Sequence, residues 1–257
     1  MRLIDTHAHI YLPEFDEDRA DMLERAEKQG LASILMPAVD SGTHGELLQL
    51  EVDHPNFCRA MMGLHPCSVK AETMEKELKK VETLLRSRAF VAIGEIGLDL
   101  YWDKTNLNEQ REAFEKQIEW ALELNLPVAI HSREAIDECI GVVSQFQDGN
   151  LRGVFHCFSG TVQQAEKIIA QDFYLGIGGV ISFKNAGLDE VLNQLPIEKM
   201  ILETDSPYLA PVPFRGKRNE PSYITYIAEK LSEIKDISLE ELEVITTLNA
   251  KTLFNLS

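Results

Sequence analysis

Short apolar, β-branched runs alternate with longer amphipathic stretches from one end of the chain to the other. This alternation is typical of parallel strands that are connected by helices. We predict eight strands, at residues 2 to 5, 31 to 36, 58 to 63, 90 to 94, 127 to 131, 152 to 156, 173 to 178 and 199 to 204.

The stretches between these runs have the spacing of amphipathic helices. Residues 107 to 124 place apolar side chains on one stripe, and this pattern ends near Asn125, shortly before Pro127. A second helix is predicted over residues 16 to 29, with Gly30 as its C-terminal cap.

Eight strand–helix units in 257 residues predict an α/β protein of the closed (β/α)8 TIM-barrel class. No Gly-, Ser- or Pro-rich linker divides the sequence, so we expect a single domain over residues 1 to 257. A doubly wound open sheet is the alternative fold. The sequence does not favour it, because no Gly-x-Gly-x-x-Gly or phosphate-loop motif follows an early strand.

The chain carries 25 basic and 42 acidic residues, which give a formal net charge of −17. This excess argues against broad electrostatic attachment to nucleic acid or to an anionic membrane, although a local cationic site could still bind phosphate. No apolar run approaches the roughly 18 to 20 residues of a membrane span, and Asp5 interrupts the start of the chain where a signal peptide would be apolar. We therefore expect a cytoplasmic protein that does not bind membranes.

The four cysteines form no Cys-x-x-Cys motif, so we expect reduced, buried thiols rather than disulfides. Cys157 directly follows a histidine, which leaves a role as ligand or nucleophile as the alternative. A small buried apolar residue is the favoured interpretation. The four positions are Cys58, Cys67, Cys139 and Cys157.

Polar side chains stand where the predicted strands end, which is where (β/α)8 barrels carry their functional residues. His7 and His9 follow the first strand and can point to the same side of an extended chain. One such residue could be a hydrogen-bonded core residue or a helix cap, but ligand-type residues at five strands would need five independent accidents. The six candidate ligands are His7, His9, Glu95, His131, His156 and Asp205.

Four imidazoles and two carboxylates suffice for two divalent ions that share a bridging carboxylate. Two ions roughly 3.5 to 4 Å apart would generate hydroxide at neutral pH and neutralise charge in a hydrolytic transition state. The imidazole-rich set favours zinc, manganese, iron or nickel over magnesium, although cellular availability can override ligand preference. The two other histidines, His44 and His54, fall in or beside a predicted helix, and we expect solvated side chains there.

Seven segments, in the order in which they occur along the chain, are similar to the motifs of one protein family. They are IDTHAH at 4 to 9, GLHP at 63 to 66, GEIGLD at 94 to 99, HSR at 131 to 133, HCFSG at 156 to 160, LETDSPYL at 202 to 209 and RNEP at 218 to 221. Through these segments the chain resembles the TatD family of metal-dependent hydrolases and nucleases, which belongs to the amidohydrolase-type barrels. Two small departures are Leu100, where an aromatic residue is common, and Glu134, where aspartate is common.

The resemblance implies a specific ligand set. His7 and His9 would hold one ion with Asp205, His131 and His156 would hold the second, and Glu95 would bridge both. Related amidohydrolases often use a carboxylated lysine as the bridge. The activity that the resemblance implies is metal-dependent DNA hydrolysis, commonly by removal of nucleotides from the 3′ end.

We therefore predict a deoxyribonuclease of the 3′–5′ exonuclease type, in which Glu95 and Asp205 are catalytic and Asp205 orients the attacking hydroxide. The same metal chemistry also fits an ester or amide substrate such as a mischarged aminoacyl-tRNA, since attack on carbon and on phosphorus needs similar ligands. A non-catalytic metal- or nucleic-acid-binding barrel is the third alternative, and it would be favoured by a lost ligand position. The predicted substrate is DNA or another phosphodiester, and no obligate protein partner is indicated.

Substrate contacts are expected at the same face of the barrel. A basic cluster of Arg215, Lys217 and Arg218 follows the eighth strand; its alternative is an ordinary solvated loop. The predicted phosphate-binding residues are His65, Arg133, Arg215 and Arg218. Four aromatic residues at this rim could stack on bases or pack between loops: Tyr101, Trp102, Tyr208 and Phe214.

Overall fold

The computed structural model describes residues 3–102, 104–184 and 186–256, and over these residues strands and helices alternate as predicted. The strands are β1 (Leu3–Asp5), β2 (Leu31–Met36), β3 (Cys58–Ala60), β4 (Ile93–Asp99), β5 (Val128–Arg133), β6 (Gly153–Phe155), β7 (Tyr174–Ile177) and β8 (Met200–Leu202). The α-helices are α1 (Arg19–Lys28), α2 (His44–Asp53), α3 (Met74–Ser87), α4 (Leu107–Leu124), α5 (Ile136–Phe146), α6 (Val162–Ala170), α7 (Leu188–Asn193), α8 (Ile224–Lys235) and α9 (Leu239–Phe254). Short 3-10 helices cover Pro13–Phe15, Pro66–Ser68, Gly179–Ser182, Ile197–Lys199 and Pro221–Tyr223.

All strand pairs are parallel, and they form one group from β1 to β3 and a second from β4 to β8. Two parallel bridges join the groups, Met62 to Ile93 at one seam and Ala8 to Ser206 at the other. At the second seam the Thr6 N–H also donates to the Leu202 carbonyl at 3.0 Å. These links close the wall and confirm the (β/α)8 barrel.

The core divides into a layer inside the barrel and a layer between the strands and the helices. Along β2, β5 and β8 the two sets alternate at Leu35, Ala129 and Ile201, which belong to the inner cluster, while their chain neighbours belong to the outer one. Leu253 and Phe254 of α9 belong to the inner cluster too. Side chains alternate along a strand, so residues two or four positions after a member of the inner cluster face the barrel axis as well. Such residues include His131, His156 and Asp205.

Two strands run further than the sequence pattern predicts. β4 begins later than residue 90 and continues through Asp99, and β5 continues to Arg133, because Asp99 pairs with Arg133. This pairing needs a close backbone approach, since a Cβ on Gly97 would lie 2.1 Å from the His131 carbonyl oxygen. Glu95 and His131 therefore lie within strands rather than after their ends.

The predicted helix boundaries agree closely with the structure. α4 spans the predicted residues 107 to 124 and ends at Asn125, which has the left-handed φ of 52°. α1 begins three residues late, because a 3-10 turn precedes it and Asp18 has a non-helical φ of −141°. Gly30 follows α1 with a φ of +88°, as its predicted role as a cap requires.

The prediction of a solvated side chain is wrong for His44. It begins α2 and is 6% exposed, and its imidazole lies against the Gly63 backbone and near Glu77 of α3. His44 lines one cavity with Lys80 and Leu84 of α3. The prediction for His54 is confirmed, since that residue is exposed.

The four cysteines are free, as expected, but only two of them are buried. Cys58 and Cys139 lie in the core, whereas Cys67 and Cys157 are half-buried. Cys157 is not on a strand. It follows β6 in a left-handed conformation with a φ of 47°, at the barrel mouth.

Within the described residues, no helix combines the length and the apolar character that a bilayer crossing requires.

Candidate metal centre

The carboxylate of Glu95 lies at the middle of a group of histidines inside the mouth of the barrel. Its Oε2 atom is 3.1 Å from His7 Nε2 and 3.3 Å from His9 Nε2. Its Oε1 atom is 2.8 Å from His131 Nδ1 and 2.9 Å from His156 Nε2. Each oxygen of one carboxylate thus faces its own pair of imidazole nitrogens.

These distances suit donors that share a metal ion. Donor atoms bound at about 2.1 Å with angles of 90 to 110° lie about 3.0 to 3.4 Å apart. One group of ligand atoms that could hold an ion is that of His7, His9 and Glu95, and another is that of His7, His156 and Asp205. The donor set therefore fits divalent ions.

The tautomer of His9 leaves one nitrogen available. The Tyr11 hydroxyl donates to the Pro37 carbonyl at 2.7 Å, so it accepts at 3.1 Å from the protonated Nδ1 of His9. The lone pair of His9 is then on Nε2, which faces Glu95. Tyr11 is buried and holds the ring in this orientation.

His131 is held between two carboxylates. Its Nε2 lies 2.9 Å from Asp99 Oδ2, so an N–H at Nε2 donates to Asp99 and leaves the Nδ1 lone pair toward Glu95. Without a metal, burial would lower the pKa of His131, but the hydrogen bonds to Asp99 and Glu95 outweigh burial and raise it. Asp99 is 1% exposed, and although burial opposes ionisation, His131 keeps the pKa of this carboxyl below its usual range.

His156 has a third buried carboxylate behind it. Glu203 Oε1 lies 3.4 Å from His156 Nδ1 and accepts from the Cys157 N–H at 2.5 Å. Glu203 is fully buried and packs against Gly176, where a Cβ would lie 2.3 Å from Oε2. Glycine at 176 therefore makes room for the carboxylate that faces His156.

His65 differs from the other four histidines. Its Nδ1 accepts from the Cys67 N–H at 3.0 Å, so the neutral ring carries its proton on Nε2. That N–H points into the centre, where Nε2 is 3.4 Å from Glu95 Oε1. In this tautomer His65 is a hydrogen-bond donor rather than a metal ligand.

Burial and the neighbouring rings set the charge of the centre. Burial alone would raise the pKa of Glu95, but His65, His156 and His7 outweigh burial and hold the pKa well below its usual range. Burial lowers the pKa of His7 to about 4, so this ring is neutral at pH 7. Its buried Nδ1 has no partner among the described residues.

Asp205 lies at the edge of the same group. Its Oδ1 atom is 3.9 Å from His7 Nε2 and 3.8 Å from His9 Nε2. The Asp205 N–H donates to the His7 carbonyl at 2.8 Å, which fixes the left-handed turn that aims the side chain inward. Burial raises the pKa of Asp205 to about 6, although His156 and His9 oppose the increase. All six predicted ligands therefore lie together.

The basic loop after β8 is less uniform than its sequence indicates. The Arg218 guanidinium binds both carboxylate oxygens of Asp18 at 2.7 and 2.8 Å, and it lies over the ring of Phe15. Arg215 is exposed and lies 4.3 Å from the ring centre of Phe183. Arg218 is thus ion-paired inside the protein, while Arg215 stays open to solvent.

The rim aromatic residues also divide into two kinds. Phe214 stacks on Tyr223 with ring centres 4.0 Å apart, so it packs between loops. Tyr101, Trp102 and Tyr208 are 50%, 69% and 49% exposed. Only these three rings are open to a ligand, among the four that the sequence singles out.

Sequence reasoning missed the three residues that orient the histidines: Tyr11, Asp99 and Glu203. Asp99 and Glu203 stand in the segments GEIGLD and LETDSPYL, so the motifs contained them without indicating what they touch. Tyr11 gives no signal of its own, because its contact with His9 depends on where the Pro37 carbonyl lies.

A (β/α)8 barrel with a histidine–carboxylate cluster at its mouth defines the class of metal-dependent hydrolases. A family model described as "TatD related DNase" matches residues 4–255. The chain belongs to this family, which confirms the resemblance in its motifs, and it is a metal-dependent hydrolase.

Relatives and solved structures agree with this assignment. An uncharacterized metal-dependent hydrolase, YabD of Bacillus subtilis, is 38% identical over 99% of this chain and 100% of its own length. A protein of Erwinia tasmaniensis named 3′-5′ ssDNA/RNA exonuclease TatD is 31% identical over 99% and 100% of the two chains. The crystal structure of YjjV, a TatD homologue of Escherichia coli, superposes with a TM-score of 0.91 at 31% identity, covering 100% of this chain and 99% of that one.

Proposed function

We propose that this hydrolase is a deoxyribonuclease that removes nucleotides from the 3′ end of DNA with two divalent ions. The observation that supports the two-ion centre is the position of Glu95, whose two oxygens face separate pairs of histidine nitrogens 2.8 to 3.3 Å away. A carboxylate in that position can bridge two ions. The nuclease named in Erwinia tasmaniensis supports the choice of substrate.

The proposed ligand roles follow this geometry. The first ion would be held by His7, His9 and Asp205, the second by His131 and His156, and Glu95 would contribute to both. When bound, the two ions would supply positive charge for the phosphoryl oxygens and the leaving alkoxide, and would lower the pKa of water. Zinc, manganese, iron and nickel suit the imidazoles, and magnesium stays a candidate through availability.

The chain's own groups would orient the substrate and the attacking water. Asp205 lies at the open edge of the cluster, so its carboxylate can accept a hydrogen bond from the attacking water and direct it at phosphorus. His65 would donate its Nε2–H to a phosphoryl oxygen, consistent with the bond that its Nδ1 accepts. Arg133 and Arg215 are open to the substrate, and Arg218 would reach a phosphate only by leaving Asp18.

The test is a substrate panel with purified protein of defined metal content. One substrate is single-stranded DNA labelled at the 5′ end, either unmodified or blocked by phosphorothioates at its 3′ end. We expect stepwise shortening of the unmodified strand and protection of the 3′-blocked strand. A strand blocked at its 5′ end is the matched control and should be degraded from the 3′ end.

The same panel includes carboxylic esters, amides and a mischarged aminoacyl-tRNA. Turnover of these compounds without cleavage of DNA would replace the nuclease proposal by the ester or amide hydrolase alternative. Metal binding without turnover of any substrate would favour a binding protein.

A further inference from the structure

The segment after β4 carries two aromatic side chains that the protein leaves open to solvent. Tyr101 is 50% exposed and Trp102 is 69% exposed. Their rings are nearly perpendicular, with centres 4.9 Å apart and an interplanar angle of 89°. The guanidinium of Arg133 lies 3.9 Å from the Tyr101 ring centre and 5.4 Å from the Trp102 ring centre. We call these three side chains the stacking platform.

The platform is tied to the metal centre by one buried carboxylate. Asp99 Oδ1 accepts from the N–H groups of Tyr101 and Trp102 at 2.9 and 2.8 Å, while its Oδ2 faces His131. Arg133 lies two residues beyond His131 on β5, which is about 6.6 Å further along the strand. The platform therefore begins next to the candidate metal centre and extends outward from it.

Charge also distinguishes the platform from the rest of the surface. The chain has a net charge of −17, yet among the described residues Arg133 forms no ion pair with a carboxylate. Its guanidinium instead lies over the rings of Tyr101 and Trp102. An exposed indole beside a guanidinium that lies over an aromatic ring offers a π-face and a positive charge to one ligand.

We propose that the stacking platform binds an unpaired nucleobase of single-stranded nucleic acid whose phosphodiester lies in the metal centre. This inference rests on the proposed nuclease function. The base would stack on the open face of Trp102, and Arg133 would contact the neighbouring phosphate or extend the stack. Bases in a duplex are already stacked and paired, so the platform would favour single strands.

A binding experiment can detect the stack directly, because the chain has two tryptophans and Trp120 is only 4% exposed. The probes are a thymidine tetramer with phosphorothioate linkages, which resist hydrolysis, and a tetramer of the same linkages without bases. With metal-loaded protein we expect the thymidine tetramer to quench the fluorescence of Trp102 and the abasic tetramer to leave it unchanged. The quench should disappear in Trp102→Ala.

Kinetics on an unmodified oligonucleotide provide a second readout. A base–aromatic stack contributes about 1 to 3 kcal/mol, so Trp102→Ala should raise KM by about 5- to 160-fold with little change in kcat. On an abasic oligonucleotide the variant and the wild type should agree within about twofold. Leu248→Ala removes an equally exposed apolar side chain, 61% exposed on α9, and should change neither substrate.

Arg133→Lys separates charge from stacking, since lysine keeps the charge without the planar group. We expect an intermediate rise in KM that is larger on the oligonucleotide with bases than on the abasic one.

Two results would overturn the platform: equal quenching by the two tetramers, or a quench that survives in Trp102→Ala. The binding comparison decides this inference independently of catalysis. A wild-type protein that cleaves no oligonucleotide with any of the five metals would instead refute the proposed nuclease function.

Discussion

The buried cluster around Glu95 and the exposed arginine rim lie at the same end of the barrel but are built differently. In the cluster, Glu95 is 2% exposed, and three of the four imidazoles of the candidate ligands have a carboxylate or hydroxyl behind them. At the rim, Arg218 is paired with Asp18, while Arg133 and Arg215 lie on aromatic rings. The side chains of the cluster are held in place by buried contacts. The arginine side chains at the rim can change their contacts when a substrate binds.

The largest expected effect is the loss of the bridging carboxylate. Glu95→Gln keeps the shape of the side chain but removes a charge that two ions would share, so kcat/KM should fall by about 10³-fold or more. Metal analysis should show fewer ions per chain, and circular dichroism should show an intact fold. Full activity in a metal-depleted Glu95→Gln protein would contradict the two-ion centre.

Removal of the ions from the wild type should abolish activity and lower stability. Binding at 100 times Kd stabilises the folded protein by about 2.7 kcal/mol, so chelation should lower Tm by about 5 to 10 °C. Differential scanning calorimetry with and without a chelator measures the shift, and added metal should restore both Tm and activity. A Tm and an activity that do not respond to chelation would rule out the ions as part of the folded enzyme.

The residues behind the imidazoles should have intermediate effects. Asp99→Asn and Glu203→Gln weaken the groups that orient His131 and His156, so each should reduce metal affinity by about 10- to 100-fold. Competition with a fluorescent chelator measures this affinity without relying on turnover. Asp18→Asn changes a carboxylate outside the cluster and serves as the control, with unchanged metal affinity.

The smallest effect concerns the ion pair at the rim. Hydrogen bonds from Arg218 and Arg25 hold the pKa of Asp18 below its usual range. Because its pKa is lowered on folding, Asp18 stabilises the folded state at pH values above the pKa of about 3.9 that it has in the unfolded chain. This stabilisation is lost as the pH falls below that value toward the pKa of the folded state. Asp18→Asn should therefore cost about 0.5 to 1 kcal/mol in urea unfolding at pH 7 and less at pH 3.

Two comparisons complete that experiment. Glu17→Gln alters an exposed carboxylate that has no ion pair among the described residues, and it should not change the pH dependence.

Arg218→Ala should raise the KM for DNA less than a change at Arg133, because Arg218 is paired within the protein. A larger effect at Arg218 would mean that this residue leaves Asp18 when the substrate binds.

The sequence predicted the elements that depend on local patterns. The eight strands and helix α4 follow from apolar runs and helical spacing, which reflect burial along a single element. The strand-end rule also brought the six candidate ligands together, because parallel strands in a barrel all end at one mouth. The prediction of a solvated His44 side chain was wrong, because its surroundings include α3, which is distant in the sequence.

Glu95 shows why the rest needed coordinates. Ala92 faces the barrel interior, so strict alternation would turn Glu95 outward, but the register between β4 and β5 shifts between Ile93 and Ile96. Such an irregularity changes the side of the sheet to which a side chain points. The apolar pattern within one β-strand does not contain that information.

By itself, the sequence determined the barrel, its family and the kind of atoms available for metal binding, because these depend on residue types repeated at regular positions. Only the tertiary structure decided which atoms meet: the pairing of each Glu95 oxygen with two histidines, the hydrogen bonds that set the tautomers of His9 and His131, and the capture of Arg218 by Asp18. These contacts span distances of 2.7 to 3.3 Å, and directional hydrogen bonding at that range depends on the complete fold.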